Sequence, residues 1–126
     1  MAMKLTYMRL YADEAGESHF EDVEIALQES DFVPPAPPVL LSSFNAANQY
    51  AFEVVSPGWH GDWHPAPSRV LAIYLSGQGE IEASDGEIRA LGPGTILLAE
   101  DTSGRGHITR VVGTEDMLVL ILLLPD

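Results

Sequence analysis

Apolar residues in this chain recur with a period of two, in runs too short and too often interrupted to be helices. In Glu21-Asp22-Val23-Glu24-Ile25-Ala26-Leu27 the residues Val23, Ile25 and Leu27 share one face of an extended backbone and the acidic residues take the other. Further β-rich runs are predicted over Gln49–Val55, Val70–Leu75, Glu80–Ala83, Glu87–Leu91, Thr95–Ala99, His107–Val112 and Met117–Leu124, separated by Gly, Pro, Asp and Ser. In IEASDGEIRAL, Asp85-Gly86 is expected to supply the positive-φ residues of a tight hairpin turn. Many short strands at regular spacing point to a barrel or sandwich, and closure into a barrel hides the edges such strands expose.

The chain has 126 residues, which predicts one domain with one core. Its net charge of −13 opposes attachment to nucleic acid or to an anionic membrane surface. Cysteine is absent, which excludes disulfides and thiolate zinc sites. The start, MAMKLTYMRLYADE, lacks the apolar stretch of a signal peptide, and Leu118 to Leu124 falls far short of the ~20 residues of a membrane helix. A soluble, cytoplasmic protein is expected. Four prolines in DFVPPAPP, residues 31–38, favour an extended, stiff connector. The expected division is an N-terminal β arm with its proline-rich connector, residues 1–38, followed by the main β domain, residues 39–126.

Candidate chemistry gathers in GWHGDWHPAP, residues 58–67, whose glycines and prolines rule out a helix. In an extended chain His60, Asp62 and His64 share one face, and Trp59 and Trp63 take the other. At ~3.3 Å per residue His60 and His64 stand about 13 Å apart in a straight strand, so convergence on one ion requires a bend, which Gly61 permits. The second candidate is His107, at the end of the glycine-rich EDTSGRGH. That loop lacks the Lys-Ser/Thr of a phosphate-binding loop and the helix that follows one. His19, in GESHF, has no local partner pattern.

From Asp62 to Thr109 the order of features resembles the cupin superfamily: a His-containing first motif, a strand ending in LSGQGEIE, a hairpin, then a second motif that opens with LGPGTILL and closes on a histidine. YLSGQGEIEASDGEIRALGPGT is its most specific part, and the resemblance covers roughly residues 50–124. It implies an all-β fold, an antiparallel jelly-roll barrel, with iron, manganese, nickel or zinc held inside by two histidines and an acid of the first motif and one histidine of the second. Carried over, the second histidine of the first motif falls on His64 and that of the second motif on His107. Asp62 stands where the first histidine belongs, with His60 one same-face step away, and Val70 stands where the acid belongs. Thr95 replaces the aspartate that often follows the glycine-proline-glycine turn.

The resemblance therefore implies a small-molecule protein whose metal ligands are Asp62, His64 and His107, with His60 as a further donor, acting as an oxygenase or isomerase. The alternative is a metal-free ligand-binding or epimerase-like protein in which the same histidines work as acid and base and Tyr74 is the proton partner. Trp63, Arg69, Val70 and Tyr74 are the candidate pocket residues, and no single residue is singled out as catalytic. Arg69, Arg105 and Arg110 sit beside the two motifs, where they could orient an anion or pair with surface carboxylates. A homodimer is expected, because the amphipathic arm strand and the run MLVLILLL offer more apolar surface than one small domain covers.

Overall fold

The computed structural model describes residues 4–126, and these contain no helix. No helix is therefore long and apolar enough to cross a membrane. Eleven strands form: β1 (Leu5–Ala12), β2 (Ser18–Ile25), β3 (Gln28–Ser30), β4 (Val39–Leu41), β5 (Gln49–Val55), β6 (Val70–Ser76), β7 (Gln78–Ala83), β8 (Ile88–Leu91), β9 (Ile96–Ala99), β10 (His107–Val112) and β11 (Met117–Leu123). Eight strands lie within a few residues of the predicted runs, and β1, β3 and β4 lie outside them.

Six strands make the larger sheet in the order β2-β1-β9-β6-β11-β5, three make a second sheet in the order β10-β7-β8, and β3 pairs with β4. All pairings are antiparallel except β1 with β9, which is parallel and sets Leu10 opposite Ala99. The expectation of a single closed antiparallel barrel is thus corrected on two points: one pairing is parallel, and the sheets stay separate. The physical reason for the gap lies in Ser56–Arg69, where Pro57, Pro65 and Pro67 lack the N–H a ladder needs and Gly58 takes φ +84.

Between the two sheets lies the core, with Leu10, Ile81, Leu91, Met117 and Val119 almost wholly buried. The core strands contribute alternate residues, as β6 shows with buried Ala72 and Tyr74 and exposed Leu75. Burying a side chain of this size contributes roughly 1.5–3 kcal/mol, which is what holds two sheets of short strands together.

The proline segment is not an extended connector. Ala36 donates to the Val33 carbonyl at 3.0 Å, so the four prolines sit in the turn between β3 and β4. β1 and β2 belong to the large sheet, and the hairpin that stands apart spans β3 and β4. The hairpin at Asp85-Gly86 forms as expected between β7 and β8, but only Gly86 is left-handed, at φ +98. Asp85 instead accepts the N–H of Glu87 on its carboxylate at 2.9 Å.

Candidate functional site

Although it is no regular strand, the segment 56–69 runs antiparallel to β10. Gly61 donates to the Thr109 carbonyl at 3.0 Å and Val111 to the Trp59 carbonyl at 3.0 Å. Further on, His64 and His107 exchange both backbone hydrogen bonds, at 3.1 and 3.0 Å. Such a directly opposed pair sends both side chains to the same face, and the imidazole centroids stand 4.7 Å apart.

Two glycines of EDTSGRGH make this approach possible. A β-carbon on Gly106 would lie 2.0 Å from the His64 carbonyl oxygen, and one on Gly104 would lie 2.5 Å from the Gly16 carbonyl oxygen. Both have positive φ, +75 and +81. These glycines are where separate stretches of backbone touch.

Each imidazole has one nitrogen already engaged. Nδ1 of His64 lies 2.8 Å from the carbonyl oxygen of Asp62; a carbonyl can only accept, so Nδ1 carries the hydrogen. Nδ1 of His107 lies 2.6 Å from Oδ2 of Asp101, a carboxylate with no exposed surface, and donates to it. In the neutral form of either ring Nε2 then carries the lone pair. The other oxygen of Asp101, Oδ1, is buried and among the described residues has no hydrogen-bond partner, so among them His107 is the side chain that offsets the cost of burying this carboxyl group.

Both histidines line a cavity of about 530 Å³ between the sheets. His107 is buried, whereas His64 is exposed at the mouth. The cavity wall is mainly apolar, with Val70, Ala72, Leu97, Val119 and Ile121 from the large sheet facing Ile81 from the small one. Thr109, Glu53 and Tyr74 add polar groups. Tyr74 is buried, and burial together with the nearby Glu53 charge pushes its phenol well above the ordinary range. It keeps its proton at any physiological pH and can act as a donor.

Of the candidate metal ligands, His64 and His107 meet in this cavity. Asp62 and His60 are not among the residues lining it: Asp62 touches His64 through its backbone carbonyl, and His60 stands opposite Arg110. The shared face assigned to His60, Asp62 and His64 assumed a regular strand, which the prolines and glycines prevent. Among the described residues no three His, Asp or Glu side chains converge closely enough to hold one metal ion.

Of the candidate pocket residues, Val70 and Tyr74 line the cavity, while Trp63 and Arg69 do not, and Trp59 takes the place of Trp63. Arg69 binds Glu100 at 2.7 Å and the Pro125 carbonyl at 2.7 Å. Arg105 pairs with Glu17, and Arg110 with Glu80 and Glu82. The residues missed from sequence are Asp101, Glu53 and Thr109. Asp101 carries no periodic signal, since an aspartate six residues ahead of a histidine in a glycine-rich loop reads as solvated turn.

No family model matches the sequence, and no curated protein matches it. Among solved structures the fold is similar to the conserved protein SPY1581 of unknown function from Streptococcus pyogenes, at 20% identity over 64% of this chain and 69% of that one, with a TM-score of 0.47. It is also similar to protein NMB1881 from Neisseria meningitidis, at 21% identity over 59% of this chain and 73% of that one, with a TM-score of 0.45. A third is the capsular polysaccharide assembling protein CapF from Staphylococcus aureus, at 16% identity over 80% of this chain and 31% of that one, with a TM-score of 0.48.

Proposed function

We propose that this chain is a jelly-roll protein of the cupin type that binds a small, largely apolar molecule between its sheets and moves a proton on it. The observation that carries this reading is the hydrogen bond from His107 Nδ1 to the buried Asp101 carboxylate. That bond fixes the tautomer, holds the ring in place and leaves Nε2 as the nitrogen that can take a proton. Tyr74, protonated and on the opposite sheet, is the complementary hydrogen-bond donor. A base and a donor on facing walls suit removal of a proton from a carbon beside a carbonyl, with the phenol holding the developing oxyanion and His107 returning the proton to a neighbouring carbon, as in an isomerisation. The largely apolar wall strengthens both interactions.

The test is deuterium exchange. Small ketones, aldehydes and 2-oxo acids are incubated with the protein in D2O, and loss of the α-proton signal is followed by NMR. The wild-type protein is expected to speed exchange for at least one compound, with His107→Gln slower by about 10²-fold or more. Exchange by His107→Gln equal to wild type would overturn the acid–base reading.

A second reading, a divalent metal on His64 and His107, has one observation in its favour. Both imidazoles hold Nδ1 on an oxygen and leave Nε2 as the lone-pair nitrogen, the arrangement that metal-ligating histidines usually have. The donor set nevertheless falls short of the two histidines and one carboxylate of a facial triad, so the residues present do not fit a three-ligand centre. Calorimetric titration with iron, manganese, nickel and zinc decides this: binding that His64→Ala and His107→Ala each abolish establishes the metal, and no binding removes it.

A further inference from the structure

In an antiparallel sheet with one solvated face, the outward side chains are expected to be polar. In this protein the outward face of β5, β11 and β6 is not. Tyr50, Leu122 and Leu71 form one cross-strand row, and Phe52, Leu120 and Ile73 the next. Tyr50 is 70% and Phe52 65% exposed, and their rings meet edge to face at 6.2 Å. β5 is also an edge strand, with one side unpaired.

The hairpin that leads into this edge has the same character. Among the described residues β3 and β4 pair only with each other, and Phe32 and Phe44 pack on one another at 5.6 Å while remaining 53% and 76% exposed. From Phe32 to Phe52 the chain has no charged side chain, in a protein in which 20% of residues are charged and the net charge is −13. The hairpin joins β5 at Asn48, which donates to the Leu123 carbonyl at 2.7 Å, so it emerges beside the apolar face without covering it.

We propose that two copies of this chain pair through this face, each laying its Phe32–Phe44 hairpin across the outward rows of β5 and β11 of the other. A second copy is the occupant the chemistry selects. Two chains of charge −13 repel one another, and that repulsion is least along a surface without carboxylates such as residues 32–52. The area suffices: at ~200 Å² per ring, the exposed parts of Phe32, Phe44, Tyr50 and Phe52 come to on the order of 500 Å². Exposed Val33, Leu40 and Val54 extend this toward the ~800 Å² per partner of a stable interface. So large an apolar patch is rarely left in water by a monomer.

The test is the solution mass of the full chain by light scattering and sedimentation at about 1–100 µM, the range in which such interfaces form. A mass twice the 13.7 kDa of one chain is expected. Phe52→Asp, on the face, and Phe44→Asp, on the hairpin, are each expected to give monomers with an unchanged far-ultraviolet dichroism spectrum, since neither side chain is in the core. Mixing the two variants separates the proposed exchange from simple face-to-face contact. A mixed pair regains one intact hairpin-on-face contact, because the hairpin of Phe52→Asp meets the face of Phe44→Asp, so dimer is expected to reappear. A wild-type monomer across this range, or failure of the mixture to dimerise, would overturn the proposal and leave the face to a different partner.

Discussion

Gly106 lies so close to the backbone of His64 that a β-carbon on it would sit 2.0 Å from the His64 carbonyl oxygen and 2.4 Å from the nitrogen of Pro65. With φ at +75 as well, the position favours glycine for both space and conformation. Gly106→Ala is therefore expected to force the two histidine-bearing segments apart. It should destabilise the protein by about 2–4 kcal/mol, strain and displaced backbone together, as measured by urea unfolding. A loss below about 0.5 kcal/mol, the range of neutral surface changes, would show that the loop relaxes freely.

Asp101 and His107 stand or fall together. Asp101→Ala leaves the imidazole without its acceptor in a buried place, and the expected cost is about 1–3 kcal/mol, the loss typical of a buried donor left unsatisfied. The substitution also frees the tautomer. Nitrogen-15 spectra of the His107 ring are expected to change from a single Nδ1–H form to a mixture of both tautomers. An unaltered tautomer would mean that something other than Asp101 holds the ring.

The strands were legible because half-buried antiparallel strands write their burial into alternate residues. β10 and β5 could be placed to the residue, and Val23 and Ile25 are indeed more buried than Asp22 and Glu24. β1 was harder, since LTYMRLYA carries aromatic and aliphatic residues on both faces and pairs with strands on each side. Within the candidate site, the order of motifs points to His64 and His107 and also to Asp62, whose expected shared face with His64 rests on a strand parity that the prolines around it annul. Asp101 was hidden for a different reason. Its burial depends on contacts of 56–69 with the loop after β9, such as Ala66 donating to the Asp101 carbonyl at 2.9 Å, and contacts between distant segments leave no local pattern.

Glu100 joins three parts of the fold, accepting from Arg9 Nε at 2.5 Å and from Arg69 Nε at 2.7 Å, while Arg69 also holds the Pro125 carbonyl. Burial alone would raise its carboxyl pKa, but the two guanidinium hydrogen bonds outweigh this and hold it below the ordinary value. A depressed carboxylate stabilises the fold fully above its ordinary value near 4.5 and loses that contribution as pH falls through the lower folded value. Glu100→Gln is expected to cost about 1–3 kcal/mol at neutral pH, the worth of hydrogen bonds to a charged group. The gap between the two proteins should close in acid. Urea unfolding against pH checks this, and a gap unchanged from neutral pH into strong acid would rule out a charge-based role.

His19 bridges two turns, with Nε2 2.7 Å from Asp13 in the β1–β2 turn and Nδ1 2.9 Å from Asp85 in the β7–β8 turn. Both bonds need a ring hydrogen, and only the imidazolium has two. Hydrogen bonding to Asp13 first, and to Asp85 second, accordingly raises the His19 pKa above its ordinary value near 6.5, while the bond from His19 lowers that of Asp13. The raised histidine contributes fully below 6.5, and its contribution fades as pH rises through the higher folded value. The lowered aspartate contributes above its ordinary value near 3.8 and loses that contribution as pH falls through the lower folded value. The clamp is thus strongest in mildly acidic solution and weakens on either side. Melting temperatures of wild type and His19→Gln are expected to differ most at about pH 5–6 and to converge toward alkaline pH. Because both carboxylates are reached by solvent, raising the salt concentration should narrow the difference at its maximum. A difference that is the same at pH 5 and pH 9 would mean that the imidazolium is not what ties the two turns together.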